Sequence, residues 1–373
     1  MPKVDVERWN TCEISLEGAG TYDNPFTEVD LTAKFRHESS GSEICVDGFY
    51  DGDSTWRIRF MPLELGNWIY ETESQDSGLN GKKGEINCIP SEKKYLHGPL
   101  YAKGLHFQHA DGTWRYLTNT RLSCQFAPPS VWDGVADFLK ANSINRVLFI
   151  IGGIAGTVRE LYGKDLDFSR YDVEKFQAID AFIDKMRRSD IMTSPYFYYF
   201  NAGDQRGMTY EQDEAYIKYG MARFGAYCNV MPCLSNQIEG KFTLQGRNST
   251  QYDPRNHEWG NKIGSYLAEK AVFGVPVTVH NPLENQKATN PSFYTYLRDW
   301  PFPWTDFMLR QMQVGSLGAV EEFRDDIPEQ ETAGAVSGKG NILFPRQYNP
   351  RAYANRSPRT HTRSTILPPG WIL

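Results

Sequence analysis

The spacing of apolar residues changes once along this chain, near Trp114, and this change constrains the fold more than any single motif. Before it, short segments alternate apolar and polar residues, and clusters of Gly, Asp, Asn and Ser separate them. Successive side chains of a strand point to opposite faces, so this pattern indicates antiparallel strands with one buried face. Residues 1–92 are therefore predicted to form an all-β sandwich, followed by a connecting segment at 93–113 that packs on both halves.

After Trp114, apolar runs typical of buried strands alternate with helical patterns. YDVEKFQAIDAFIDKMRRSD places Phe176, Ile179, Phe182, Ile183 and Met186 on one helical face. Strand-like runs on either side of such helices indicate a parallel sheet, and six or more units without a glycine-rich phosphate loop favour a closed barrel. The predicted fold class is α/β, with a (β/α)8 TIM-type barrel at 114–373. The barrel pattern stops short of the C-terminus, because the residues after 349 are basic, proline-rich and unpatterned.

Composition and charge exclude several classes of protein. The net charge is −6 and no basic stripe is present, so no nucleic acid partner is predicted. No uncharged apolar window approaches 18 residues, so no membrane span is predicted, and the N-terminal residues lack the apolar core of a signal peptide. Localisation stays open between a cytoplasmic protein and a mature secreted or periplasmic one, and the oligomeric state stays open as well.

Neither a metal nor a cofactor is predicted. The six cysteines form no CxxC motif and are expected to be free thiols, and no histidine cluster has the spacing of a zinc site. His106 and His109 lie close together but have no third candidate ligand nearby, so packing or surface roles are expected for them. The 9 Trp, 21 Tyr and 21 Phe offer flat apolar platforms that suit sugar rings, although a large core also uses such residues.

Short sequence motifs in both halves resemble those of bacterial glycoside hydrolases. These belong to the cellulase-like TIM-barrel superfamily and carry an N-terminal β-sandwich domain of unknown function. The resemblance covers residues 8 to about 320. In the first half it is carried by NPF (24–26), GFYDGDSTWRIRFMP (48–62), GNW (66–68), HGP (97–99) and HFQHADG (106–112). In the second half it is carried by SNQIEG, HEWGNKIGSYL, VHNP and DFMLRQMQVG.

This resemblance implies a retaining glycosidase that acts on a β-linked poly- or oligosaccharide, with catalytic carboxylates at the carboxyl ends of the fourth and seventh strands. The fourth-strand motif of the family ends in Asn-Glu, whereas CLSNQIEGKF has Asn236 followed by Gln237. An amide does not exchange a proton as a carboxyl group does, so Gln237 cannot be a general acid. The seventh-strand carboxylate has no clean match: VEEF (320–323) lies on a predicted helix, and ILFPRQY (342–348) has Gln347 instead of Glu.

Two functions therefore stay open at the level of the sequence, a hydrolase with Gln at the acid/base position and a carbohydrate-binding protein on the same scaffold whose chemistry is lost. Gln237 itself has two interpretations: it occupies the catalytic position, where the substitution would trap bound substrate, or it is a structural amide that bonds neighbouring loops. Glu239 is the other catalytic candidate. It stands two residues after Gln237, so both side chains point to the same face of the sheet if the strand continues. A salt bridge or a contact at the rim of the site is the alternative for Glu239.

Candidate substrate-binding residues stand at predicted strand ends. The resemblance implies that Asn236 holds a sugar hydroxyl and that a histidine such as His280 binds substrate, with a core histidine as the alternative. Arg121 follows the first strand of the second half and would meet an anionic sugar. The remaining candidates are Asn281 after the fifth strand, Tyr198 and Tyr199 at the end of the third, Trp300 and Trp304 before the sixth, and Gln311 and Gln313 at its end.

Overall fold

A computed structural model shows an all-β N-terminal part followed by an α/β part. The described residues are 3–104, 106–152, 161–162, 166–200, 204–236, 238–242, 253–283, 302–311, 335–337 and 341–345.

Seven strands of the N-terminal part join in the order β1-β7-β6-β3-β4-β5-β2. Their pairing is antiparallel except between β1 and β7, which run parallel. Alternation along each strand did not predict this exception, because it carries no information on which distant strands become neighbours. The elements are β1 Lys3–Glu7, β2 Cys12–Glu17, the short helix α1 Pro25–Glu28, β3 Leu31–His37, β4 Glu43–Tyr50, β5 Thr55–Phe60, β6 Gly66–Ser74 and β7 Lys83–Ile89.

Strand β4 links two groups of strands. Its first residues pair with β3 and its last three, from Gly48, pair with β5. Phe35 of β3 and Phe60 of β5 stack with ring centroids 3.8 Å apart, and both are fully buried. Trp68 of β6 packs edge-on against Phe60 at 5.2 Å. The predicted period-two strands therefore bury one apolar face in a common core.

A separate three-stranded antiparallel sheet is formed by the predicted connecting segment and the two residues that follow it, with strands β8 Leu100–Lys103, β9 His106–His109 and β10 Trp114–Arg115. Leu100 and Phe107 are buried against residues of the second half, and the Phe107 ring lies 5.5 Å from that of Phe307. The segment therefore covers part of the α/β sheet and does more than connect the two halves.

The second half contains an eight-stranded sheet in chain order except at its end, where β18 lies between β16 and β17. The pairs from β11 to β16 are parallel, as predicted, whereas β18 runs antiparallel to β16. The seventh strand position therefore departs from the all-parallel (β/α)8 pattern. The strands are β11 Asn119–Arg121, β12 Arg146–Ile150, β13 Met192–Tyr199, β14 Cys233–Asn236, β15 Thr278–Leu283, β16 Phe307–Gln311, β17 Ala335–Ser337 and β18 Asn341–Pro345.

Helices follow several of the parallel strands and cover one face of the sheet. The helix over Val173–Arg188 begins where Asp172 accepts a hydrogen bond from the Lys175 amide, and the predicted face of five apolar residues is fully buried. The next helix begins with a capping box of Thr209 and Gln212. The helices are α2 Pro129–Ala141, α3 Val173–Arg188, α4 Tyr210–Phe224 and α5 Pro254–Lys270, with 3-10 turns at Asp204–Gly207 and Ile238–Gly240.

The opposite face, called the inner face below, has a separate apolar cluster. Leu148 and Ile150 of β12, Met192 and Tyr196 of β13, and Cys233 of β14 belong to it, together with the residues from the small sheet. Apolar residues on both faces explain why these strands read as continuous apolar runs in the sequence.

The N-terminal strands meet helices α3 and α4 through a buried cluster of four charged groups. Arg59 Nη1 lies 2.9 Å from one carboxylate oxygen of Asp180, and Arg223 Nη2 lies 2.6 Å from the other. Arg223 Nη2 also lies 2.8 Å from Asp51 Oδ1. All four side chains are buried, with Arg223 at 0% exposure. Two arginines thus share one carboxylate across the junction.

His109 provides a test of pH dependence in the small sheet. Its ring is buried, Nδ1 lies 2.9 Å from the Gly98 carbonyl oxygen to which it donates, and burial lowers its pKa from 6.5 to about 4. Below pH 6.5 the unfolded chain binds the proton more readily than the folded one. Stability is therefore fully present above pH 6.5 and falls as the pH drops from 6.5 to 4, by at most about 3 kcal/mol.

We expect a His109→Gln variant to lose this part of the pH dependence of the free energy of unfolding, measured by urea denaturation between pH 4 and 7. His106→Gln is the matched control, because His106 is exposed on the same strand. An unchanged slope in His109→Gln would contradict the assignment.

Candidate functional site

Three adjacent parallel strands place three of the predicted residues side by side. Two of them end their strands, and the third, His280, lies inside β15, which continues to Leu283. Tyr199 of β13 is the register partner of Asn236 of β14, and Asn236 is the register partner of His280 of β15. Neighbouring strands in a sheet are about 4.8 Å apart, and register partners project to the same face. The His280 ring also lies 5.8 Å from the ring of Tyr196, which belongs to the inner face.

A register shift in β14 makes this alignment possible. Cys233 pairs with Thr278, whereas Asn236 pairs with His280, so three steps along β14 correspond to two along β15. In continuous register, Asn236 would lie opposite Asn281 and its side chain would project to the other face. Bulges of this kind re-aim a side chain next to functional sites. The shift therefore brings Asn236 to the inner face beside His280.

Arg121 completes the group from the end of β11. Its guanidinium carbon lies 5.2 Å from the centroid of the Tyr199 ring, and the side chain is exposed while Tyr199 is half-buried. A guanidinium over an aromatic face is attracted by the ring quadrupole and holds the ring in place. Arg121, Tyr199, Asn236 and His280 together are called the strand-end row below. The row offers a cation, a flat ring, an amide and an imidazole at one edge of the sheet.

The strand does not continue through the predicted catalytic positions. β14 ends at Asn236, and Ile238–Gly240 form a 3-10 turn. The parity argument that placed Glu239 on the same face as Gln237 is therefore wrong, because it needs an extended strand. Several candidates lie outside the described residues: Gln237, Trp300, Gln313, VEEF at 320–323 and Gln347, together with the side chains of Glu239, Asn281 and Gln311.

Lys241 anchors the chain directly after this turn. Its ammonium group is buried and donates to the Met208 carbonyl oxygen at 3.0 Å and to both carboxylate oxygens of Asp213 at 3.0 and 3.2 Å. Trp259 Nε1 donates to Asp213 at 2.6 Å. Burial lowers the pKa of Lys241 and raises that of Asp213, and the attraction between the two charges opposes both shifts.

This ion pair fixes the segment 238–242 between α4 and α5, and the sequence reasoning missed it. The available signal was a lysine in CLSNQIEGKF, between apolar residues that suit a buried segment. Its acidic partner stands 28 positions earlier in the chain, so sequence spacing gave no reason to pair the two.

Two of the predicted platform residues lie away from the strand-end row. Tyr198 is fully buried on the helix side, where its hydroxyl donates to the Asp213 carbonyl oxygen at 3.3 Å and its ring packs edge-on against Trp259 at 5.0 Å. Trp304 is buried at the amino end of β16, so tightly against α5 that a Cβ on Gly264 would lie 2.0 Å from its ring. Both are packing residues in this structure, and the prediction that they form a sugar platform is wrong for them.

In the described part of the chain, no group of three or more His, Cys, Asp or Glu side chains is arranged to hold a metal ion. All six cysteines are free thiols. The described helices include none with the length and apolar character that a membrane crossing requires.

Comparisons with known proteins found a sequence family and several solved structures that are similar to this chain. A sequence family described as "Domain of unknown function (DUF5060)" matches residues 5–75. No curated protein sequence matches the chain. Among solved structures, a "putative glycoside hydrolase" from Bacteroides vulgatus ATCC 8482 is similar with a TM-score of 0.64 and 25% identity over 76% of this chain. This chain spans 57% of the length of that protein.

Two further solved structures are less similar. A glycoside hydrolase family 5 protein from Bacteroides vulgatus ATCC 8482 has a TM-score of 0.38 and 13% identity, with 51% of this chain and 40% of that chain covered. An endo-1,4-β-mannanase from Rhizomucor miehei has a TM-score of 0.44 and 13% identity, with 62% and 78% covered. The structural neighbours reported are thus glycoside hydrolases, and of these three only the first, with its TM-score above 0.5, supports an inference about this chain.

Proposed function

We propose that this chain is a glycoside hydrolase that acts on a β-linked poly- or oligosaccharide by a retaining mechanism, with Gln237 at the acid/base position. The observation that carries the proposal is the strand-end row, in which a register shift brings Asn236 beside His280 and Tyr199. Catalytic and binding groups of parallel α/β folds stand at the carboxyl ends of the strands. The likeness to the Bacteroides vulgatus protein supports the same class of reaction.

Each member of the strand-end row has a task in this proposal. The Asn236 amide both donates and accepts, which suits a sugar hydroxyl next to the bond to be cleaved. The half-buried Tyr199 ring provides an apolar surface for a sugar ring, and Arg121 holds that ring from the solvent side. The His280 imidazole supplies a further polar contact at the inner face. The 3-10 turn at Ile238–Gly240, anchored by Lys241, sets the path of the chain beyond Asn236.

A second function is favoured by the chemistry of the same residues. The strand-end row contains a guanidinium, a phenol, an amide and an imidazole, but no carboxylate. Glycoside hydrolysis by a retaining enzyme needs two carboxyl groups about 5–5.5 Å apart. A protein that binds a β-linked glycan without cleaving it would use the row as it stands.

A panel of β-linked oligosaccharides separates the two functions. Binding is measured by calorimetry and cleavage by the release of reducing ends. Cleavage supports the hydrolase, and binding without cleavage supports the binding protein. Asn236→Ala is expected to weaken either outcome, with the exposed Asn142→Ala as the matched control. Absence of both binding and cleavage across the panel would overturn both proposals.

Arg121 predicts a preference for sugars that carry a carboxylate. One charge-assisted hydrogen bond at an exposed site is worth roughly a factor of ten in affinity. We expect Arg121→Gln to weaken binding of an oligosaccharide containing a uronic acid about tenfold and to leave a neutral oligosaccharide of the same linkage unchanged. Arg36→Gln, at an exposed arginine on β3, is the control. An equal loss for both sugars would show that Arg121 acts only by holding Tyr199.

A further inference from the structure

Arg146 places a positive charge on the buried inner face of the α/β sheet. The residue begins β12 and its side chain has no exposure to solvent. Its Nε and Nη2 donate to the Ser194 hydroxyl oxygen at 2.9 and 2.7 Å, and its guanidinium carbon lies 5.4 Å from the Phe307 ring centroid. In the described part of the chain, Nη1 has no hydrogen-bond partner.

The buried arginines at the junction of the two halves are compensated differently. Arg59 and Arg223 both contact the Asp180 carboxylate. Among the described residues, Arg146 has no acidic partner, and the other titratable groups that face it are Tyr196 and Cys233. Burial lowers the pKa of Arg146 to about 10, which leaves the guanidinium charged at neutral pH. A charge removed from water is stable only when an opposite charge or several hydrogen bonds replace its hydration.

The Asn119 side chain lies beside Arg146 and has two more polar atoms without a hydrogen-bond partner among the described residues. It is the register partner of Arg146 on the neighbouring strand β11, so both side chains project to the inner face. Its side chain is buried, and both Oδ1 and Nδ2 lack a hydrogen-bond partner in the described part of the chain. Buried polar atoms of native proteins are almost always satisfied. Two adjacent strands thus place a guanidinium N–H and an amide N–H, neither hydrogen-bonded to a described residue, next to each other on the inner face.

We propose that Arg146 Nη1 and Asn119 Nδ2 bind a small monovalent anion, with chloride as the physiological ion, in the interior of the sheet. A water molecule would satisfy hydrogen bonds but would leave the charge of Arg146 without a counter-charge among the described residues. A single negative charge matches the single positive one, whereas a divalent ion would reverse the imbalance among the surrounding apolar side chains. This site is separate from the strand-end row and does not depend on the proposed glycosidase activity.

The test compares melting temperatures of the full chain in sodium chloride, bromide and gluconate at matched ionic strength. We expect a saturable rise of roughly 2–5 °C in chloride and bromide but not in gluconate, because an ion that binds only the folded state stabilises it. Arg146→Met should abolish the difference between the salts. Equal melting temperatures in all three salts for the wild-type chain would overturn the proposal.

A second variant keeps the test decisive if Arg146→Met does not fold. Asn119→Asp places a carboxylate beside Arg146 and supplies the counter-charge within the chain. This variant should be at least as stable as the wild type in gluconate and should no longer respond to chloride. In crystals soaked in bromide, an anomalous peak within hydrogen-bonding distance of Arg146 Nη1 would support the site. A water molecule at that position, or a wild-type chloride response in Asn119→Asp, would refute it.

Discussion

The Gln237→Glu variant is expected to cleave a β-linked oligosaccharide faster than the wild-type chain by ~10²- to 10⁴-fold, which is the usual contribution of general acid–base catalysis. Gln and Glu are almost equal in size, so the substitution changes proton transfer and leaves packing nearly unchanged. Asn236 precedes this position and lies in the strand-end row. The expected gain is in the catalytic rate, with substrate affinity similar in both proteins.

Glu239→Gln, measured on the same oligosaccharide, is the matched control. If Gln237 occupies the acid/base position, Glu239→Gln leaves hydrolysis unaffected and only Gln237→Glu raises it. If instead the wild-type chain is active and only Glu239→Gln removes that activity, then Glu239 is the acid and the role proposed for Gln237 is wrong. Binding without cleavage in all three proteins would favour the carbohydrate-binding function.

The second large effect is expected at the junction of the two halves. Asp180→Asn removes the carboxylate shared by Arg59 and Arg223 and leaves two buried guanidinium groups with less compensation. Loss of one partner of a buried ion pair costs about 3–5 kcal/mol. We expect a loss of this size in the free energy of unfolding, measured by urea denaturation at neutral pH.

An exposed ion pair between α2 and α3 supplies the control for this experiment. Asp133 contacts Lys185 of α3, and its side chain is 70% exposed. Asp133→Asn should change the free energy of unfolding by no more than about 1 kcal/mol, because solvent screens exposed ion pairs. Similar small losses in both variants would mean that water compensates the arginines at the junction.

Local patterns predicted several elements correctly, because they depend on neighbours in sequence. The apolar face of α3 follows from a spacing of three and four residues, and all five of its predicted residues are buried. The period-two strands before Trp114 and the parallel strands after it also follow from local alternation and length. Of the candidate site, the strand-end positions of Tyr199, Asn236 and Arg121 were predictable for the same reason, whereas His280 lies inside β15, which continues to Leu283.

Other features depend on contacts between distant residues. The carboxylate that pairs with Lys241 belongs to Asp213, and the reversed direction of β18 depends on its pairing with β16. The burial of Tyr198 and Trp304 likewise depends on where helices pack.

By itself, the amino-acid sequence determined the alternating strands before Trp114, the order of strands and helices after it, and the strand-end positions of Tyr199, Asn236 and Arg121. The tertiary structure decided which of those residues meet, through the register of β14 against β15. A slip of one residue moves a side chain to the opposite face of a sheet. The pairing that sets this register joins residues more than 40 positions apart in the chain, so the local pattern of Cys233 to Asn236 contains no record of it.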